Sequence, residues 1–281
     1  MKKLIWIVLL FAAFLMCYPI LFLVSGSFMS TGELNDQLGP MLGKDGGGTL
    51  FVILRMFPLY PTLKAYVELL IDSPSFFIMF WNSVKLVVCI LAGQLLISVP
   101  AAWGFAKFKL PFKKALFMLY IVLMMMPFQV TMLSNYLVLN RVNLIDTHAS
   151  IILPAVFSTF PVFIIYRFFC QVPDAIVESA KVDGANQIQI FFYLGLPLGS
   201  AGIISALVLG FLEYWNLIEQ PLTFLKTKSL WPLSLYLPNI DTDNAGMAFT
   251  ASIIALIPAA LVFLAGQDYL ERGIVAAAVK E

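Results

Sequence analysis

Few residues in this chain have the type and spacing for covalent chemistry. Its one histidine, His148, stands at the edge of an apolar run and supplies too few donors for a metal site. No serine or cysteine is spaced to suggest a nucleophile–base pair, so no catalytic or metal-ligating set is expected. Three cysteines, Cys17, Cys89 and Cys170, lie in or beside apolar runs without metal-ligand spacing and read as buried small hydrophobes. Gly43 to Gly48 could suggest a phosphate cradle, but Lys44 is followed by Asp45 where a Ser or Thr would be needed. No cofactor is implied. What remains are polar residues inside apolar runs. Glu213 is the one carboxylate within such a run, and Lys85 can snorkel outward. Gln129, Ser134, Asn135 and Asn216 either face a polar translocation path or join helices by hydrogen bonds. Met124-Met125-Met126 points in three directions on a helix and reads as core.

Another kind of chemistry, docking, is offered by the polar island Pro173 to Pro197 between two apolar runs. Pro173 suits a helix start, and Ala175, Ile176, Ser179 and Ala180 recur at helical spacing, which predicts a helix over Asp174 to Val182 with those residues on its apolar face. Gly184 then permits a left-handed turn, and Ile188, Phe191 and Phe192 predict a second apolar stripe. Such a helix–turn–helix either docks onto a partner or lies on a lipid surface.

The elements that must position this island follow from composition. The 281 residues are 61% hydrophobic and 12% charged, with a net charge of +1 and a mean hydropathy of +0.92. Soluble domains carry about 25% charged residues, so the class is an all-α polytopic membrane protein. No basic cluster has the interleaved aromatics of a nucleic-acid binder. Apolar runs of spanning length lie at about 4–24, 76–100, 115–137, 149–169, 194–217 and 245–267. The first follows Lys2-Lys3 and is too long for a signal-peptide core, so it reads as an uncleaved helix. Between 25 and 75, Gly39-Pro40, Gly46-Gly47-Gly48, Pro58, Pro61 and Pro74 punctuate a long loop. Six spans put both termini on one side, and the short basic loop with Lys107, Lys109, Lys113 and Lys114 makes that side cytoplasmic. The island then faces the cytoplasm.

Glu178-Ser179-Ala180, Asp183-Gly184-Ala185, Phe191 and Leu196-Pro197 resemble the EAA loop of ABC importer permeases, with Ser179 where the family usually has Ala. Pro61-Thr62-Leu63 with Tyr66, Asn82-Ser83, Ala101-Ala102 with Phe105-Ala106, Trp215-Asn216 and Gly273…Ala278-Val279-Lys280 are similar to signatures of carbohydrate permeases of the maltose type. The tail departs from that family at Ala277 and Glu281, where Gly is common. The resemblance implies the ABC importer permease fold in a single domain over 1–281. It also implies a cytoplasmic coupling helix within 173–193, seated in an ATPase cleft through Glu178, Ser179, Ala180, Asp183, Gly184 and Ala185. It implies a complex in the bacterial inner membrane: a second permease subunit, two ATPase subunits and an extracytoplasmic solute-binding protein, surrounded by lipid. Hydrolysis would then occur on another chain, and the solute would be a carbohydrate. The competing class, a secondary transporter, needs ion-coupling groups near the bilayer midplane and commonly repeated halves, and neither is evident here.

Overall fold

The structure is a computed structural model that describes residues 2–38, 55–109, 111–236 and 244–278, with side chains from 5 to 271. The Gly43–Gly48 loop and the last three residues of the tail lie outside the described residues. Every regular element described is helical: α1 (Lys2–Ser27), α2 (Thr31–Leu38), α3 (Lys64–Leu70), α4 (Pro74–Lys107), α5 (Lys113–Met124), α6 (Phe128–Arg141), α7 (Ala149–Val156), α8 (Phe160–Phe169), α9 (Asp174–Val182) and α10 (Gln187–Ile190). A π-helical stretch, Phe191–Gly195, leads into α11 (Leu196–Leu198), followed by α12 (Ser200–Trp215), α13 (Glu219–Phe224) and α14 (Ala245–Ala278).

Two compact units divide the chain. One comprises Met1–Met79 and Tyr236–Pro258. Within it Met29, Leu34 and Ala245 are buried, with Leu38 and Phe249 packed against them. Tyr66, quoted above as a family signature, bonds Ser27 through its hydroxyl at 2.9 Å. The other comprises Phe80–Leu235 and Ala259–Glu281. Its core gathers Val99, Ala102 and Trp103 of α4, Val162, Ile165 and Phe169 of α8, Val177 of α9, Ile190 and Ala206. Within this unit α8 packs along α12. Asn82 and Ser83 pin a distant loop to α4: Asn82 Nδ2 donates to the carbonyls of Ser229 (2.8 Å) and Trp231 (3.1 Å), and Ser83 Oγ accepts from Leu233 N at 2.8 Å.

Among the described residues, four helical segments are long and apolar enough to cross a bilayer: Ile5–Ser27, Pro74–Lys107, Ala149–Phe169 and Ala245–Glu271. The number rises to six if each of two bent pairs is one span. At about 1.5 Å per residue, the 34 residues of α4 reach about 51 Å, well beyond a hydrocarbon core of about 30 Å. The expected run 115–137 is cut at Met125–Pro127, where α5 and α6 meet at 97°. Pro127 adopts extended backbone there (ψ 147°), and proline also pushes the residue before it out of helix. The run 149–169 is interrupted at Phe157–Thr159, just ahead of Pro161 in the first turn of α8. The run 194–217 bends by 66° at Gly199, after Pro197 has removed a backbone donor.

All three cysteines are exposed, which corrects their reading as buried. Hydropathy does not signal burial in a chain whose outer surface is itself apolar: α1 exposes Trp6, Phe11 and Met16 as well.

Candidate functional site

The helix expected in the polar island is present from Asp174 to Val182, opening at an extended Pro173. Asp174 in its first turn and Lys181 in its last both complement the helix dipole. Its C-terminus closes as a Schellman motif: Ala185 N donates to Ala180 O (3.0 Å) and Gly184 N to Lys181 O (3.1 Å). Gly184 supplies the left-handed residue that this closure requires, at φ +84°. Asp183-Gly184-Ala185 is thus the cap, the turn and the return of one helix end. The next helix starts at once, because Asn186 and Gln189 form a reciprocal capping box, Gln189 N to Asn186 Oδ1 at 2.8 Å and Asn186 N to Gln189 Oε1 at 2.9 Å.

The covered face differs from the expected one. Val177 is the buried residue of α9, with Ala180 and Ala185 packed against the same core beside Trp103 and Phe169. Ala175, Ile176 and Ser179 are exposed, and of the predicted stripe only Ala180 is covered. In the second stripe Ile188 and Phe192 are exposed and Phe191 is partly covered, while Ile190 is the buried anchor. The closure folds Ala185 back over Ala180, and that choice turns the Val177–Ala180 side inward. Left outward are Glu178, Ser179, Asp183 and Gly184, together with the apolar side chains of Ile176, Val182 (88% exposed), Ile188 (69%) and Phe192.

Lys107, read from the sequence only as a marker of sidedness, anchors this element. Its Nζ donates to Asp174 Oδ1 at 2.6 Å and to the Val172 carbonyl at 2.5 Å. The Lys107 side chain is 6% exposed against 80% for Asp174. That hydrogen bond and the charge behind it hold the Asp174 carboxyl below the usual carboxylate range, so it stays ionised at neutral pH.

A second feature lies where the helices break. A cavity of about 580 Å³ is lined from the α5–α6 break, the α7–α8 break and the end of α12. Thr131, Asn135, Ser158, Thr159, Glu213 and Gln220 give it polar walls. Irregular backbone at membrane depth is tolerated where it is buried in protein or lines such a cavity. Gln94, buried in α4, braces the wall by donating to Ala155 O (2.8 Å) and Tyr214 Oη (2.9 Å).

Of the four residues weighed for a polar path, Asn135 lines this cavity and exposed Ser134 does not. Gln129 is exposed and donates to Glu219 Oε1 at 2.7 Å. Asn216 caps its own helix by donating to Leu212 O at 2.9 Å. His148 bonds the Leu230 carbonyl at 3.0 Å, and partial burial holds its imidazole below the usual range. Sequence reasoning missed Ser158, Thr159 and Gln220, although Pro161 ahead of an apolar helix was a legible sign of a break beside Ser158-Thr159.

The family described as binding-protein-dependent transport system inner membrane component matches residues 94–276. The lactose transport system permease protein LacG of Rhizobium radiobacter is 28% identical over 269 residues, 95% of this chain and 92% of that protein. The arabinooligosaccharides permease AraQ of Halalkalibacterium halodurans is 25% identical over 96% of this chain and 93% of its own length. The sn-glycerol-3-phosphate permease UgpE of Yersinia pestis is 27% identical over 73% of this chain and 74% of its own length. A chain of the crystal structure of a bacterial ABC transporter involved in the import of the acidic polysaccharide alginate superposes with a TM-score of 0.80 over 95% of both chains, at 19% identity. The fold is therefore that of an ABC importer permease. Matched over residues 94–276, which include α9 and the cavity-lining residues, the chain belongs to the binding-protein-dependent transport system inner membrane components.

Proposed function

We propose that this chain is one permease half of an ATP-driven importer for a saccharide delivered by an extracytoplasmic binding protein. The observation that carries the reading is α9 with its turn: a closed, charged element, seated on α4 and α8, that leaves Val182 and Ile188 uncovered. Uncovered apolar side chains among charges fit a protein partner, and family membership supports an ATPase as that partner. In this reading Glu178, Ser179 and Asp183 meet the ATPase, while Ala180, Gly184 and Ala185 shape the turn that presents them. The assembly would hold a second, different permease chain, two ATPase subunits and the binding protein in the inner membrane. The chain would form six spans, with each bent pair crossing once and both termini in the cytoplasm.

Closure of the ATPase pair would displace α9. Lys107 would pass that motion to α4, and the Val177–Trp103–Phe169 contacts would pass it to α8, which packs along α12. All three of these helices carry walls or braces of the cavity, so its access would change with nucleotide state. Relatives named for lactose and arabino-oligosaccharides support a saccharide as solute. Reconstitution tests the reading. Proteoliposomes holding the chain alone should neither hydrolyse ATP nor take up saccharide. Adding the second permease, the ATPase and the binding protein should give ATP-dependent uptake. Ion-gradient-driven uptake by the chain alone would contradict it.

A further inference from the structure

Among the described residues, the cavity at the helix breaks has one ionisable carboxylate in its wall, Glu213, and no Lys, Arg or His lines it. That carboxylate is exposed, and no hydrogen-bond donor among the described residues engages it. The walls also offer Asn135, Ser158 and Thr159 as neutral polar groups and the ring of Phe160 as an apolar face. The amide oxygen of Gln220 is buried there with no partner among the described residues. The volume of about 580 Å³ falls within the about 300–1,000 Å³ of small-molecule sites. We propose that this cavity is a solute subsite on this half of the importer, and that Glu213 makes it accept neutral or amino-bearing saccharides and reject anionic ones.

The inference rests on the importer reading and adds the solute's charge class to it. When ionised, the Glu213 carboxylate offers about four acceptor positions, and hydroxyl-rich rings supply matching donors. Bonds to a charged acceptor are about twice as strong as neutral ones, so a saccharide that reaches Glu213 is held by it. A uronate or phosphate would bring a second negative charge beside exposed Glu213, where no Lys, Arg or His among the described residues lines the cavity to offset either. The family does not decide this point, because its members include proteins named for both neutral and anionic solutes.

The test uses the complex of this chain with its partner permease and ATPase, free of native cysteines and carrying Ser158→Cys. Rates of modification are compared for a cationic trimethylammonium and an anionic sulfonate methanethiosulfonate, each relative to a free thiol. The cationic reagent should be favoured about tenfold. Glu213→Gln should abolish that preference, and Glu213→Asp, which keeps the charge, should preserve it. Arabinotriose or maltotriose should slow the labelling, and trigalacturonate should do so only in Glu213→Gln. A preference unchanged by Glu213→Gln, no labelling at all, protection of the unmutated site by trigalacturonate, or protection by no saccharide overturns the proposal. ATP hydrolysis stimulated by the binding protein is measured on the same complex. Intact stimulation alongside any of those results sinks the subsite alone, whereas no stimulation in the Glu213 complex sinks the importer reading and this inference with it.

Discussion

Lys107 Nζ lies 2.6 Å from Asp174 Oδ1, so the last residue of α4 grips the first residue of α9. The same ammonium also bonds the carbonyl of buried Val172. The two contacts differ in consequence. Asp174 is solvent-exposed and water can replace its partner. The Val172 carbonyl has no other donor among the described residues, and an orphaned buried acceptor costs about 1–3 kcal/mol.

Lys107→Met should therefore lower the melting temperature of the assembled complex and weaken solute-stimulated ATP hydrolysis. Asp174→Asn should do both to a smaller degree. Thermal unfolding and stimulated hydrolysis, measured on both variants, check the order. Equal effects would mean that the carbonyl contact contributes nothing.

Gly199 sits at the 66° bend, where a β-carbon would stand 2.1 Å from Phe169 Cε1. Phe169 is fully buried and has no room to retreat. Gly199→Ala should destabilise the complex by about 1–3 kcal/mol, the usual range for overpacking. Gly32→Ala, whose β-carbon meets nothing within 4 Å among the described residues, serves as the neutral control. Partial recovery in Gly199→Ala/Phe169→Leu would assign the cost to this contact, and no recovery would refute that.

The reach of sequence reasoning is clearest around α9. Its bounds and the left-handed Gly184 were legible because each is set locally, by a proline at the start, a glycine at the end and residues within one turn. Which side of α9 is covered was not legible. Val177 is chosen over Ile176 by Trp103 and Phe169, far away in sequence, and by the return of Ala185 over Ala180. The role of Lys107 was hidden for the same reason, since its charge is local but its partners are sixty-five and more residues away. The 97° bend escaped notice because an apolar run reads as continuous through Pro127, although the backbone does not.

Sidedness rests on the basic loop around Lys107 to Lys114 and is open to direct labelling. In a chain lacking native cysteines, single cysteines at Lys109 and Asn186 should resist an impermeant thiol reagent in intact cells, and one at Asp45 should react. Labelling of Asn186 from outside would reverse the orientation and remove α9 from the reach of any cytoplasmic ATPase.

The central claim, that α9 and its turn dock the ATPase, is tested most directly at Gly184. A β-carbon there meets nothing within 4 Å among the described residues, and aspartate tolerates positive φ better than most residues. Gly184→Asp thus strains the turn by about 1–2 kcal/mol without a β-carbon clash, while placing bulk and charge on the outward surface. The measurement is retention of the ATPase on the affinity-purified permease pair, with solute-stimulated hydrolysis read on the same sample. The account predicts that Gly184→Asp inserts and recognises the binding protein normally but loses most of the ATPase and of the stimulation. Full retention with full stimulation would contradict it, leaving α9 a helix on the lipid surface.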